Sequence, residues 1–328
     1  MTPLAFIRRW GISIASLVGG LLTLFVFRRE LPHVRWIVGY IVLVWLLFAI
    51  LAQIRQALEG SERRAHRFVV TAFDYTIQTL YHGLLLFVIP PYYASTTLTS
   101  ANALFLALLV ALALLATFDP WYRWVVQPRA WMGVVFFLVS TFAALNVALP
   151  LIGVPPFFGL LLSAWLAVVA LTPGVRRVTG SKWTTALAIT GLAAIAATGL
   201  ASAGRWLIPP APLALARATL ARTVAGGEPV DPIEGAIGAA ELKAQGLVAY
   251  TAVLAPAGLN QSIAHVWRHE GRVVNVVGLS PVRGGRREGF RTYSRKTSFP
   301  ADPAGRWAVD VVTSSGQLIG RLSFSVAP

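Results

Sequence analysis

The sequence predicts a helical membrane bundle of about seven transmembrane helices, followed by a small all-β, sandwich-like domain of immunoglobulin type. Three observations predict it. Of the 328 residues, 56% are hydrophobic and only 12% charged, against about 25% charged in ordinary soluble domains. The apolar residues come in blocks long enough to cross a bilayer, which takes about 20 residues per helix. Past Leu247 the apolar period changes from helical to alternating.

The expected spans are 10–27, 36–53, 68–90, 101–118, 131–152, 155–172 and 184–204. The first follows Arg8 and Arg9, as a signal peptide would, but Arg28, Arg29 and Glu30 come next with no small-residue cleavage site, so an uncleaved anchor is expected. Pro90 and Pro91 close the third span, and Pro155 and Pro156 open the sixth. With the N-terminus inside, the inner loops hold Arg8, Arg9, Arg55, Arg63, Arg64, Arg67, Arg123, Arg129, Arg176, Arg177 and Lys182. The short outer loops hold Arg28, Arg29 and Arg35. This bias orients the chain in a cytoplasmic (inner) membrane with its C-terminal domain outside the cytoplasm. It also accounts for much of the net charge of +15, so nucleic acid is not an expected partner; the bilayer is. In the last span Ala193, Ala197 and Ala201 recur on one face, spacing that lets helices approach closely.

Three parts follow: a polytopic helical region over 1–204, a juxtamembrane helix and linker over 205–246, and a β domain over 247–328. The middle part is expected to hold a short surface helix at Leu213–Ala225 and a Gly/Pro-rich linker at Gly226–Pro232. The β domain is expected from alternating runs at 247–255, 261–269, 272–282, 289–298, 305–314 and 317–326, separated by glycine, proline or Ser-Gly turns.

Within this part, Leu259–Val326 carries His265-Val-Trp-Arg268, Gly289-Phe-Arg-Thr-Tyr-Ser-Arg-Lys296 and Gly305-Arg-Trp-Ala-Val-Asp310. By these motifs it resembles a small bacterial domain of unknown function found after membrane helices. The membrane half, including Pro90-Pro-Tyr-Tyr-Ala-Ser-Thr-Thr97, is similar to the partner region of such proteins. The resemblance implies the two-part architecture and no catalytic residue.

Two clusters carry chemistry. On the third span Thr71, Asp74, Gln78, Tyr81 and His82 fall within an arc of about 100°. An ionised group at the bilayer centre costs roughly 2.5–3.5 kcal/mol, so Asp74 and His82 must be paired or watered. The cluster Asp74, Gln78, Tyr81 and His82 reads either as a proton or substrate site or as a structural hydrogen-bond network. The adjoining loop Tyr92–Asn102 is polar and uncharged, suited to an aromatic belt and a helix cap.

In the β domain Arg283, Arg286, Arg287, Arg291 and Arg295 gather with Tyr293 around Gly284-Gly285. Alternation puts Arg291, Tyr293 and Arg295 on one strand face, and unpaired arginines stay in water. Glu288 is the one acid nearby in sequence, so an uncompensated positive face is expected. Arginines beside an aromatic suit an anionic lipid or envelope polymer; another membrane protein is the other partner considered.

The chain has no cysteine, which excludes disulfides and thiolate chemistry. His265 and His269 share a face with Trp267 but lack a third ligand, and no cofactor is expected. Gly174–Lys182 has the wrong spacing for a phosphate loop, and no nucleophile elbow or carboxylate pair occurs. A non-enzymatic, membrane-anchored envelope binding or scaffold protein is therefore the expected function. The alternatives are a transporter or channel using the polar stripe, and a membrane enzyme acting on lipid-linked substrates.

Overall fold

The computed structural model describes residues 64–233 and 235–328. Two of the expected spans, 10–27 and 36–53, lie outside the described residues. The described residues fall into two compact units: 64–90, 106–149 and 158–203, and 91–105, 150–157 and 204–328.

The first unit is helical. Its elements are α1 (Arg64–Ala94), α2 (Ala103–Thr117), α3 (Ala130–Leu151), α4 (Pro156–Val169), α5 (Thr172–Thr179) and α6 (Trp183–Ala203). Among the described residues three helical stretches are long and apolar enough to cross a membrane: Ala130–Leu151, Pro156–Thr179 and Trp183–Ala203. A fourth counts only if two bent pieces are joined. After Thr117 the chain turns by 97° into Asp119–Val126, a short turn with Pro120 at its start followed by a π-turn at Tyr122–Val126. The proline fits a helix start but cannot continue α2, since it lacks the N–H that an interior position needs. The 31-residue α1 is not among them, because its polar stripe lowers its mean hydropathy.

The second unit carries the β-sheet domain. Its strands are β1 (Ala214–Ala225), β2 (Glu228–Ile233), β3 (Ile237–Gly238), β4 (Leu247–Leu254), β5 (Asn260–Gln261), β6 (Ile263–His269), β7 (Arg272–Gly278), β8 (Val282–Arg283), β9 (Phe290–Lys296), β10 (Gly305–Thr313) and β11 (Leu318–Ala327); one short helix, α7, spans Ala239–Gln245. One sheet runs β2-β1-β4-β9, a second β3-β11-β10-β6-β7, and β5 pairs β8 in a small ribbon. Both large sheets contribute to one core: Leu220, Leu247 and Val253 from the first meet Trp267, Trp307, Val309 and Phe324 from the second.

The six alternating runs each hold a strand. The stretch before them does not follow the sequence reading. Residues 214–225 form β1, not a surface helix, and the 226–232 linker is a tight turn followed by most of β2. Alanine favours a helix locally. Here β1 instead bonds along its length to β4 and β2 and places Leu220 in the core. Cross-strand packing overrides local propensity.

Candidate functional site

The polar stripe of α1 meets the break after α2. Gln78 Nε2 donates to Asp119 Oδ1 at 2.7 Å and to Ala116 O at 3.0 Å. Thr117 Oγ1 lies 2.8 Å from His82 Nδ1 and also donates to Ala113 O. Tyr81 is buried against Phe136, ring centroids 5.3 Å apart. Gln78, His82 and Asp119 are all buried. Asp74 belongs to α1, but its side chain lies outside the described residues. Sequence reasoning missed Asp119, which follows the expected fourth span by one residue. Only the bend brings it back against α1, and the proline after it is the signal for that bend.

The expected arginine face forms in part. Arg291, Tyr293 and Arg295 are exposed on β9, with Thr292 and Ser294 turned inward. The cross-strand rows are Arg217–Ala252–Arg291 and Thr219–Tyr250–Tyr293. The charge is compensated at Arg291, while among the described residues Arg283, Arg286, Arg287 and Arg295 carry no ion pair. Glu228 of β2 bonds Arg291 at 2.7 Å and Arg217 at 3.1 Å, and Glu288 bonds Arg291 at 2.7 Å. These acids hold the Arg291 guanidinium charged and raise its pKa, led by the Glu288 hydrogen bond. Burial, aided by Glu228, pushes the Tyr250 hydroxyl up. Arg286 stands over Phe290 at 5.0 Å, Arg287 is exposed in the same turn, and Arg283 sits in the β5–β8 ribbon rather than on the β9 face.

A different site lies on the outer face of the second sheet. A groove of about 760 Å³ is lined by Thr99, Arg268, Glu270, Arg306, Arg321, Ser323 and Ser325. Its strand residues come from neighbouring cross-strand rows, among them Arg268–Ala308–Ser323 and Val266–Asp310–Arg321. Asp310 is only 2% exposed. Its Oδ2 accepts from Arg268 Nε at 2.7 Å and Arg321 Nη2 at 2.9 Å, while Oδ1 accepts from Arg321 Nε. One buried carboxylate thus fixes two guanidinium groups side by side, and it raises the pKa of Arg321. Among the described residues Arg268 Nη2 and Arg321 Nη1 have no hydrogen-bond partner, so donors remain for an anion.

The rim is set by the β6–β7 hairpin. Its two-residue turn, Glu270-Gly271, has φ of 47° and 78°, the left-handed pair that such a hairpin requires. Glu270 bears this conformation and accepts from Arg306 N at 2.6 Å and Arg306 Nη2 at 3.3 Å, which lowers its pKa. Arg306 itself is 87% exposed. The sequence reading passed over this groove because its arginines are up to 53 positions apart and each sits in an unremarkable strand. Their shared alternation phase with Asp310 was the available signal.

His265 and His269 of β6 do not form a metal site. His265 is fully buried between Thr251 and Ser294. His269 stacks on Trp307, with centroids 4.5 Å apart, and its Nε2 lies 2.8 Å from Ala304 O. Among the described residues no group of three His, Asp or Glu side chains is placed to hold a metal.

Residues 3–249 match the family of unknown function DUF5924, and residues 260–326 match the protein family of unknown function DUF2914. The first match covers most of the chain, which therefore belongs to the DUF5924 family. No curated protein and no solved structure matches it. The two matched regions meet inside the β domain. β4, at the end of the first region, is hydrogen-bonded to β9 of the second, and β3 of the first runs parallel to β11 of the second. The boundary between the two families is not a fold boundary.

Proposed function

We propose that this DUF5924 member is a non-enzymatic, membrane-anchored binding protein whose β domain takes an anionic component of the cell envelope. The carrying observation is the groove in which Asp310 holds Arg268 and Arg321 side by side, with Arg306 at the rim. A guanidinium fixed in this way loses little rotamer freedom on meeting a phosphate or carboxylate, and its planar fork matches either group. The Arg291–Tyr293–Arg295 face is a secondary surface, since two glutamates already occupy Arg291.

The reading includes an inner-membrane location with the β domain outside the cytoplasm. Arg176, Arg177 and Lys182 precede α6 and no acidic residue joins them, so the positive-inside bias puts the start of α6 on the cytoplasmic side. One crossing by α6 then delivers residues 204–328 outside. A phosphatase fused after Pro328 is expected to be active, and an inactive fusion refutes the location.

The binding test uses the purified full chain in amphipol, titrated with glycerol phosphate and followed by phosphorus NMR. Binding is expected to weaken with salt, because exposed charges are screened within about 8 Å at physiological ionic strength. The double variant Arg306→Ala/Arg321→Ala should lose it. Unchanged binding by that variant refutes the groove.

One observation favours a second reading, a transporter. The break after Thr117 exposes Ala116 O to Gln78 and brings Asp119 beside it, and interrupted helices with polar groups line solute paths in such proteins. Solute or proton flux in proteoliposomes, abolished by Asp119→Asn, is the result that would support it.

A further inference from the structure

The charged groove is continuous with an apolar strip. The outer-face rows do not stop at β6. Arg268 has Val273 as its cross-strand partner on β7, and Val266 has Val276. The complete rows therefore read Val273–Arg268–Ala308–Ser323 and Val276–Val266–Asp310–Arg321. The register shifts between Trp267 and Arg268, which leaves one extra residue, Val274, on the β7 side. A bulge of this kind turns neighbouring side chains toward the same face. Val273, Val274 and Val276 are 51%, 40% and 59% exposed. β7 is the edge of its sheet. Edge strands of soluble domains commonly carry charges that blunt such a surface; β7 carries one, Arg272 at its start, and none over 273–278.

We propose that the groove binds a lipid with an anionic headgroup, the headgroup lying between Arg306 and the Arg268/Arg321 pair and the first acyl methylenes lying along Val273, Val274 and Val276. This rests on the anion-binding reading of the groove and adds the class of ligand. An amphiphile suits the site because the change from guanidinium to valine occurs within one cross-strand step, so one molecule with a charged end and an apolar stem covers both. A fully polar anion leaves the valine strip in water. A neutral amphiphile leaves the arginine donors without a partner. The hydroxyls of Ser323 and Ser325 on the far wall add donors for phosphate oxygens on the headgroup side only.

The test uses the full chain in amphipol and three probes: dioctanoyl phosphatidylglycerol, dioctanoyl phosphatidylcholine and glycerol phosphate. The phosphatidylglycerol should bind roughly tenfold tighter than glycerol phosphate, since even a few buried methylenes supply that factor, and tighter than the phosphatidylcholine. Val273→Ser/Val276→Ser should bring its affinity down to that of glycerol phosphate while leaving glycerol phosphate binding unchanged. Arg306→Ala, which does not touch Asp310, should weaken both anionic probes. If glycerol phosphate binds as tightly as the phosphatidylglycerol, or if the serine variant keeps the difference, the lipid proposal fails and the anion groove stands. Equal binding of the phosphatidylcholine also overturns it. If neither anionic probe binds, both readings fall together.

Discussion

His265 of one sheet faces Ser294 of the other, with Nδ1 2.8 Å from Oγ. The second ring nitrogen, Nε2, lies 3.0 Å from Thr251 Oγ1, and Trp267 Nε1 donates to Ser294 Oγ at 3.1 Å. Four polar side chains thus satisfy one another in the middle of an otherwise apolar core. Burial disfavours the charged imidazole and lowers the pKa of His265 from 6.5 to about 4. Below pH 6.5 the unfolded chain takes up a proton that the folded chain does not, so the unfolded state binds more protons and stability decreases as the pH is lowered. The stability is complete above 6.5 and is lost as pH falls toward about 4, by about 3 kcal/mol in all. Denaturation followed by the fluorescence of Trp267 and Trp307 should show this slope, and His265→Gln should flatten it. An equal slope in the variant removes His265 as its cause.

The β domain cannot begin at Leu247. A fragment 247–328 lacks β1, whose pairing covers one edge of β4 and whose Leu220 fills the core. It also lacks β3, which caps β11. This fragment is expected to show no cooperative melt, whereas 205–328, with every strand present, should melt in one transition with strand-type circular dichroism. Identical melts for the two would remove β1 from the core.

Asp310 is predicted to matter for stability as well as for the groove. Asp310→Asn leaves two partly buried guanidinium groups with a neutral amide in place of a carboxylate. The expected loss is about 2 kcal/mol, less than for a fully buried pair because both arginines reach water. Arg306→Ala, at an 87% exposed position, should change stability little. Urea midpoints of the two variants decide this, and a reversed order contradicts the clamp.

Gly284 is predicted to be irreplaceable for a reason unrelated to turn propensity. A Cβ at this position would stand 1.7 Å from Pro256 O, a backbone atom with no freedom to move aside. Gly284 N and Gly285 N donate to Leu259 O and Ala255 O, so the turn carrying Arg286 and Arg287 is tied to the 255–259 loop. Gly284→Ala should cost about 2 kcal/mol or more. A thermal melt matching wild type would show that this approach is looser than described.

The two-part architecture was legible in the sequence because period and composition are local properties. Apolar blocks marked helices at 131–152, 155–172 and 184–204, and alternation marked six strands and the outward face of Arg291, Tyr293 and Arg295. Three features were decided by tertiary structure alone. Residues 214–225 have helix-forming composition and became a strand because β4 and β2 offered hydrogen bonds along both edges. Asp119 entered the polar stripe because a 97° bend carried it back to Gln78. The groove arose because strand pairing set Arg268, Asp310 and Arg321 in neighbouring rows. Local sequence fixes which face a side chain takes on its own strand. Which strands become neighbours depends on long-range pairing, and from that pairing come both the compensation of Arg291 by Glu228 and the clamping of two arginines by Asp310.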